Sequence, residues 1–298
     1  MRVTQGMLSN NMLKNLQNSN TNMSKYMDQL STGKKINRPS DDPVVAMNGM
    51  NYRSQVSEIQ QFQRNTSEVH NWMDNTDAAL NTATQAMQKL RELAVQASND
   101  TYDEQERENI KKEAVQLKQH LEGIAETNVN GKYIFNGTNT NESPFNDAGE
   151  FTPNTEKVQI DVAGGMKVDA NVNPEEVFGN ELFSNPDDPD NPGKLDRLIN
   201  ALENNNQAGI EESIKDLDDS IDQVINTRAG LGARMNRLEL VENRLADQEI
   251  VATKTMSDNE DVDYAEAITK LITQESLHRA ALSAGSRIIQ PSLVNFLR

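Results

Sequence analysis

Apolar residues recur every third or fourth position along most of this chain, and the two ends carry the narrowest form of that pattern. In residues 1–42, Leu13, Leu16, Met23, Met27 and Leu30 fall on a three-four spacing, with Asn20 where one more apolar residue would go. In residues 257–298, Ile268, Leu271, Ile272, Leu282, Ile288 and Ile289 form a similar stripe, interrupted at Glu275 and His278. Two apolar positions in seven make the seam of a coiled coil, which a single helix leaves exposed to water. The expectation is that the ends pair with each other and with copies of themselves, as a terminal coiled-coil assembly domain.

The first helix should run from about Thr4 to Ser31, with Gly33 as a left-handed C-terminal cap. A linker follows, Lys34-Lys35-Ile36-Asn37-Arg38-Pro39-Ser40-Asp41-Asp42-Pro43. Asp42 is a good N-cap and Pro43 suits the first helical position, so a second helix starts there. Its stripe is the longest in the chain: Ile59, Phe62, Val69, Met73, Leu80, Ala83, Met87, Leu90, Ala94 and Ala97, broken at Thr66 and Thr76. It ends at Ser98-Asn99-Asp100. A third helix follows a short turn and should pack antiparallel to the second; Asp103 and Glu106 are spaced as a capping box, and Ile110, Ala114, Leu117, Leu121 and Ile124 form its stripe. The pattern resumes at Leu195, Leu198, Ile199 and Leu202, pauses at Asn204-Asn205-Asn206, and continues from Ile210 through Leu217, Val224, Leu231, Leu238 and Leu245 to Ala252. Arg228, Glu242 and Glu249 interrupt it. This long return is the antiparallel partner expected for helix two. Gly230 and Gly232 inside it mark either a local kink or a close approach of backbones. Residues 43–136 and 194–256 thus read as a helical rod domain. An acidic knot, Asp258, Glu260, Asp261 and Asp263, starts the last helix; Asp263 and Glu266 form a capping box there.

The period changes from 3.6 to 2 in between. Tyr133-Ile134-Phe135 reads as a short strand. Val158, Ile160 and Val162, then Gly164-Gly165, then Val168, Ala170 and Val172 read as a hairpin. Residues 137–193 are therefore a small β-rich variable insertion. Its loop with Asp187, Asp188 and Asp190 lacks the glycine and terminal glutamate of a calcium-binding EF-hand loop. The fold class is mainly α: an elongated antiparallel helical bundle or coiled coil built from the N- and C-terminal regions, with that insertion.

Composition narrows the function. Aromatics are 4% of 298 residues and mean hydropathy is −0.74, thin material for one compact core but suited to long helices with Leu, Ile, Met and Ala seams. There is no cysteine, hence no disulfide framework, thiolate metal site or thiol nucleophile. The formal charge is −17, yet residues 1–38 set six basic side chains against Asp28 alone, and residues 268–298 set four against Glu275 alone. The acidic excess lies entirely between, which argues against a nucleic-acid partner. The start, Met1-Arg2-Val3-Thr4-Gln5-Gly6, has no apolar region of a signal peptide, and no apolar run is long enough to span a membrane. His70, His120 and His278 lie in separate helices, and phosphate loops, metalloprotease motifs and nucleophile elbows are absent. Asp216, Asp218, Asp219 and Asp222 read as a solvated helix face. No enzyme, cofactor or metal site is expected.

The terminal seams, the linker and the nested order together resemble the bacterial flagellin family. The most specific stretch is Leu30-Ser31-Thr32-Gly33-Lys34-Lys35-Ile36-Asn37-Arg38-Pro39-Ser40-Asp41-Asp42-Pro43. Within it, Arg38, Pro39, Asp41, Asp42 and Pro43 are more like the family's hook–filament junction branch than filament flagellin, the alternative. Asn130-Gly131-Lys132-Tyr133-Ile134-Phe135-Asn136-Gly137-Thr138 and Arg228-Ala229-Gly230-Leu231-Gly232-Ala233-Arg234 fit the family's first strand and return helix, and Asn295-Phe296-Leu297-Arg298 is close to its usual ending. The resemblance implies a secreted structural protein of the flagellum, exported unfolded by the flagellar type III route. It implies self-assembly into a ring or tube, contact with the first hook-associated protein and with flagellin, and an export chaperone on the C-terminal helix.

Overall fold

A computed structural model describes residues 5–99, 104–146, 149–179, 181–183 and 192–289. The opening Met1–Thr4 motif, Asp103 of the expected capping box, the loop aspartates and the closing Asn295–Arg298 motif lie outside the described residues. The chain forms two compact units, Met1–Glu58 with Gln248–Arg298, and Ile59–Asp247. Helices α2 (Pro43–Ala97) and α6 (Gln207–Glu260) each contribute to both.

In the first unit, α1 (Gln5–Thr32) packs on α7 (Tyr264–Ile289). The pairing is antiparallel: Ser19 meets Gln274, Met12 meets Gly285, and Tyr264 meets Gly33. Gly33 stops α1 in the left-handed region at φ 71°, its N–H bonded to Gln29 O, as a C-terminal glycine cap requires. The start of α2 is capped as the linker sequence dictates: Asp42 Oδ1 accepts from the N–H groups of Val44 and Val45 at 3.0 and 3.1 Å, and Pro43 is the first helical residue.

In the second unit, α2 and α6 run antiparallel. Arg228 forks onto Asp77 at 3.0 and 3.1 Å, and Arg91 pairs with Asp218 further along. The long stripe of α2 is buried from Val69 to Ala97, and the two threonines that interrupt its apolar series, Thr66 and Thr76, are buried as well. Thr66 and Thr76 break the apolar series without breaking the seam, because their hydroxyls bond back to Gln63 O and Trp72 O of their own helix. Arg228, an interruption in sequence, is a bidentate tie between the two helices. Two of the four clustered aspartates have basic partners: Asp218 meets Arg91, and Asp216 lies 3.3 Å from Arg197. A Cβ at Gly230 or Gly232 would meet nothing within 4 Å, so neither glycine marks a close backbone approach within the chain.

Helix α3 (Glu104–Ala125) buries Ile110, Ala114, Leu121 and Ile124 and packs on α5 (Lys194–Glu203), tied by Lys118–Asp196. Strands β1 (Asn128–Val129) and β2 (Lys132–Tyr133) form a hairpin around Asn130-Gly131, both at positive φ, the requirement of a type I′ turn. The strand expected over Tyr133-Ile134-Phe135 therefore covers only Lys132–Tyr133. Ile134 and Phe135 leave it as buried turn residues, because Phe135 turns into an aromatic cluster instead of continuing a ladder. The second hairpin, β3 (Gln159–Ala163) and β4 (Met166–Asp169), turns at Gly164-Gly165 as its alternation predicts.

The insertion owes its core to aromatic rings. Phe135, Phe145, Phe151, Phe178 and Phe183 form one cluster with centroids 5.1–5.7 Å apart, mostly edge-on or tilted. Five of the seven phenylalanines in the chain stand there. The short helix α4 (Pro174–Phe178), capped by Asn173, delivers Phe178. Phe135→Ala is expected to destabilise the second unit by about 3–5 kcal/mol, measurable as a drop in denaturant midpoint at unchanged m-value.

Candidate assembly site: the terminal helix pair and its clasp

Each terminal helix meets its partner along one face and leaves other apolar side chains exposed. On α1 the half-covered or buried positions are Met12, Leu16, Ser19, Met23, Tyr26 and Leu30. On α7 they are Ala267, Leu271, Gln274, His278, Ala281 and Gly285. Both series step by three and four, as a helical seam must. Of the residues expected in the seam, Leu16, Met23, Leu30 and Leu271 fall on these inner faces. Leu13 and Met27 on α1, and Ile268, Ile272 and Leu282 on α7, stand exposed. The side chains of Ile288 and Ile289 lie outside the described residues.

The inner face of α7 is the weaker one. It offers Ala, Leu, Gln, His, Ala and Gly to α1, while Ile268, Ile272 and Leu282 face outward, Ile272 with 57% of its surface exposed. Sequence reasoning selected the large apolar residues and passed over the small and polar ones. The signal that finds the inner stripe is the unbroken three-four step from Met12 to Leu30. Gln274 Nε2 donates to the Oγ of buried Ser19 at 3.1 Å. A polar layer of this kind fixes register, since any slip strands a buried polar group.

Where α1 ends and α7 begins, the linker is pinned to the α6–α7 junction. Lys35 N–H donates to Glu260 O at 2.7 Å, and Val262 N–H donates to Gly33 O at 2.9 Å. These two bonds make a one-residue antiparallel bridge between Lys34 and Asp261. Side chains close around it. Lys34 Nζ lies 2.7 Å from Asp261 Oδ1 and 3.4 Å from Glu260 Oε2; Arg53 reaches the same Glu260 oxygen at 2.6 Å. Glu260 is buried at 4% exposure, and its carboxylate fills the space over Gly49: a Cβ there would lie 2.5 Å from Oε1. Lys35 Nζ donates to Asp258 O, and Asn259 Nδ2 to Val45 O. The acidic knot is thus half of a clasp, with Asp263 left to cap α7.

Each residue of the linker motif has a place. Asp41 Oδ2 accepts from the N–H groups of Asn37 and Arg38, closing the turn, and Asp42 and Pro43 start α2. Arg38 and Pro39 line a shallow recess floored by Ile36, Val45 and Met50. Electrostatics follow from the contacts. The Asp261 carboxylate raises the Lys34 ammonium above its ordinary value, and hydrogen bonds from Lys34 and Ser257 hold Asp261 below the usual carboxylate range. Among the described residues, no three His, Asp or Glu side chains converge to hold a metal, and no helix is long and apolar enough to cross a membrane.

Over 70–74% of its length the chain shares its fold with flagellar hook-associated proteins of known structure. The structure of one from Vibrio parahaemolyticus superposes with a TM-score of 0.67, covering 74% of this chain and 100% of that one at 22% identity. Another, flagellar hook-associated protein 3 of Legionella pneumophila, gives 0.61 over 70% and 98% at 16% identity. Residues 3–140 match the bacterial flagellin N-terminal helical region and residues 214–297 the bacterial flagellin C-terminal helical region. The chain belongs to the bacterial flagellin family. Its relatives include flagellar hook-associated protein 3 of Escherichia coli, 26% identical over 95% of this chain and 96% of that protein. Flagellin of Bacillus subtilis is 26% identical over 94% of each.

Glu260→Ala is expected to lower the stability of the first unit by about 1–3 kcal/mol, less than a fully buried pair because Lys34 and Arg53 keep access to water. The clasp also has a pH window. Asp261, whose folded-state value is depressed, contributes stability that is present above its unfolded value of about 4 and is lost as pH falls through the folded value. Lys34, raised on folding, contributes below about 10.4 and loses that as pH rises through its folded value. Thermal unfolding followed from pH 2 to 12 should show both edges, and Lys34→Met should flatten both, because it leaves Asp261 without its cation.

Proposed function

We propose that the chain is a structural subunit of the bacterial flagellum that joins the hook, through the first hook-associated protein, to the flagellin filament. The observation that carries the assembly part of this reading is the outward face of α7. A monomer that turned Ile268, Ile272 and Leu282 to water while hiding Ala267, Gln274, Ala281 and Gly285 would be badly designed; a subunit whose outer stripe meets its neighbours is not. The junction position, rather than the filament, is supported by full-length similarity to hook-associated protein 3 and by the Arg38–Pro43 linker. Flagellins align over as much of the chain, so filament flagellin is the second reading.

In this reading the terminal pair of residues 1–42 and 257–298 is the assembly device, residues 43–136 and 194–256 are the rod that carries it, and residues 137–193 are an insertion. Contact between copies is head-to-tail and open-ended, the association a tube requires. The inner seam, small and partly polar, holds the ends together weakly, which suits passage of an unfolded chain through an export channel and ordering on assembly. An export chaperone would use the same outer stripe of α7, taking it as an amphipathic helix in a groove. The chemistry is structural, in keeping with the family, and needs no cofactor.

Two measurements test this. An antibody to the chain should mark a narrow band next to the hook; labelling along the whole filament would favour the flagellin reading instead. Ile268→Asp combined with Ile272→Asp should leave helicity and unfolding of the second unit unchanged while abolishing incorporation, as should deletion of residues 268–298. Filament growth on either variant would overturn the assembly role of the outer stripe.

A further inference from the structure

We infer that Met12 is the oxidation-sensitive point of the terminal helix pair, its thioether a modification site for small hydroperoxides. The inference rests on the pairing of α1 with α7 and not on the junction position, so the two can fail separately. Among the inner positions of α7, Gly285 alone offers no side chain, and Met12 fills the space: a Cβ at Gly285 would overlap Met12 Cε and lie 2.5 Å from Sδ. Gly285 is buried and Met12 half-covered, so the sulfur is packed on backbone yet within reach of a small oxidant when the pair breathes. The chain has no cysteine, so no thiol competes for the oxidant.

The chemistry is a two-electron oxygen transfer. A sulfur lone pair of Met12 attacks the terminal oxygen of the hydroperoxide and the O–O bond breaks. The sulfur keeps that oxygen as a sulfoxide, and the remaining oxygen takes up the proton and leaves, as water when the oxidant is hydrogen peroxide. The product sets a polar S–O bond against helix backbone whose N–H groups are already committed to their own ladder. Met7 and Met27 on the same helix are exposed, at 57% each, so an added oxygen there stays in water and displaces nothing. Met23 shares the inner face, but only Met12 lies over the bare backbone of Gly285, so the structure separates Met12 both from the exposed methionines and from its neighbour in the seam.

The test is hydrogen exchange on the full-length chain before and after dilute hydrogen peroxide, with the sulfoxide at each methionine quantified by peptide mass spectrometry. Amide protection in both α1 and α7 should fall by about tenfold or more, in proportion to sulfoxide at Met12. Met12→Leu, a volume-conserving change, should keep its protection after the same treatment, whereas Met23→Leu and Met27→Leu should lose it as the unmodified sequence does. Unchanged protection in fully oxidised protein, or equal loss in Met12→Leu, overturns the inference. So does an absence of protection in the untreated chain, since no packed Met12 would then exist to be displaced.

Discussion

The buried carboxylate of Glu260 is the constraint on which the terminal region depends. A carboxylate taken out of water is costly unless cations and donors replace its hydration, and here Arg53 from α2 and Lys34 from the linker do so together. The end of α1 and the start of α2, neighbours in sequence, are drawn to one point with the junction of α6 and α7, more than 200 residues later. The two backbone bonds between Gly33–Lys35 and Glu260–Val262 then have a fixed frame to form in. Gly49 belongs to the same arrangement, because only a residue without a Cβ leaves room for the acid. With the clasp closed, α1 and α7 leave the linker side by side and their inner stripes meet.

What meets there is deliberately modest. Burial stabilises in proportion to apolar area removed from water, and Ala267, Ala281 and Gly285 remove little. The Ser19–Gln274 layer adds register more than strength. The larger apolar side chains of α7 stand on the outside, so most of the hydrophobic surface of this helix is left uncovered by its own chain. Fold and function are linked at this point: a terminal pair that satisfied itself would have no reason to assemble, and one with no inner seam would present its outer stripe at no fixed angle.

Much of this was legible in the residues. The helix start at Asp42-Pro43, the cap at Gly33, the long stripe of α2 with its antiparallel return, and the hairpin at Gly164-Gly165 follow from local rules that tertiary structure had no cause to override. The insertion was legible only as β-rich. Its core depends on five phenylalanines gathered from residues 135–183, and periodicity carries no information about which distant rings will touch. The terminal seam was half legible. Choosing large apolar side chains selected Leu13, Met27, Ile268, Ile272 and Leu282, all on outer faces, and missed Met12, Ser19, Tyr26 and the small residues of α7. Covered and exposed apolar side chains on one helix give one combined apolar signal, and only neighbours in space divide it into inner and outer.

The same limit explains the acidic knot. Asp258, Glu260, Asp261 and Asp263 read as acids favoured at a helix start by the dipole of α7, and Asp263 alone is used that way. Glu260 and Asp261 pair with Lys34, more than 220 residues earlier, at a site made only when both ends of the chain are present. A local rule therefore accounted for the composition of the knot while naming the wrong cause for half of it. The consequence is directional: residues that a fragment of either end would hold merely as solvated charges become, when the ends meet, the contacts that orient them. Order at the termini is thereby conditional on their meeting.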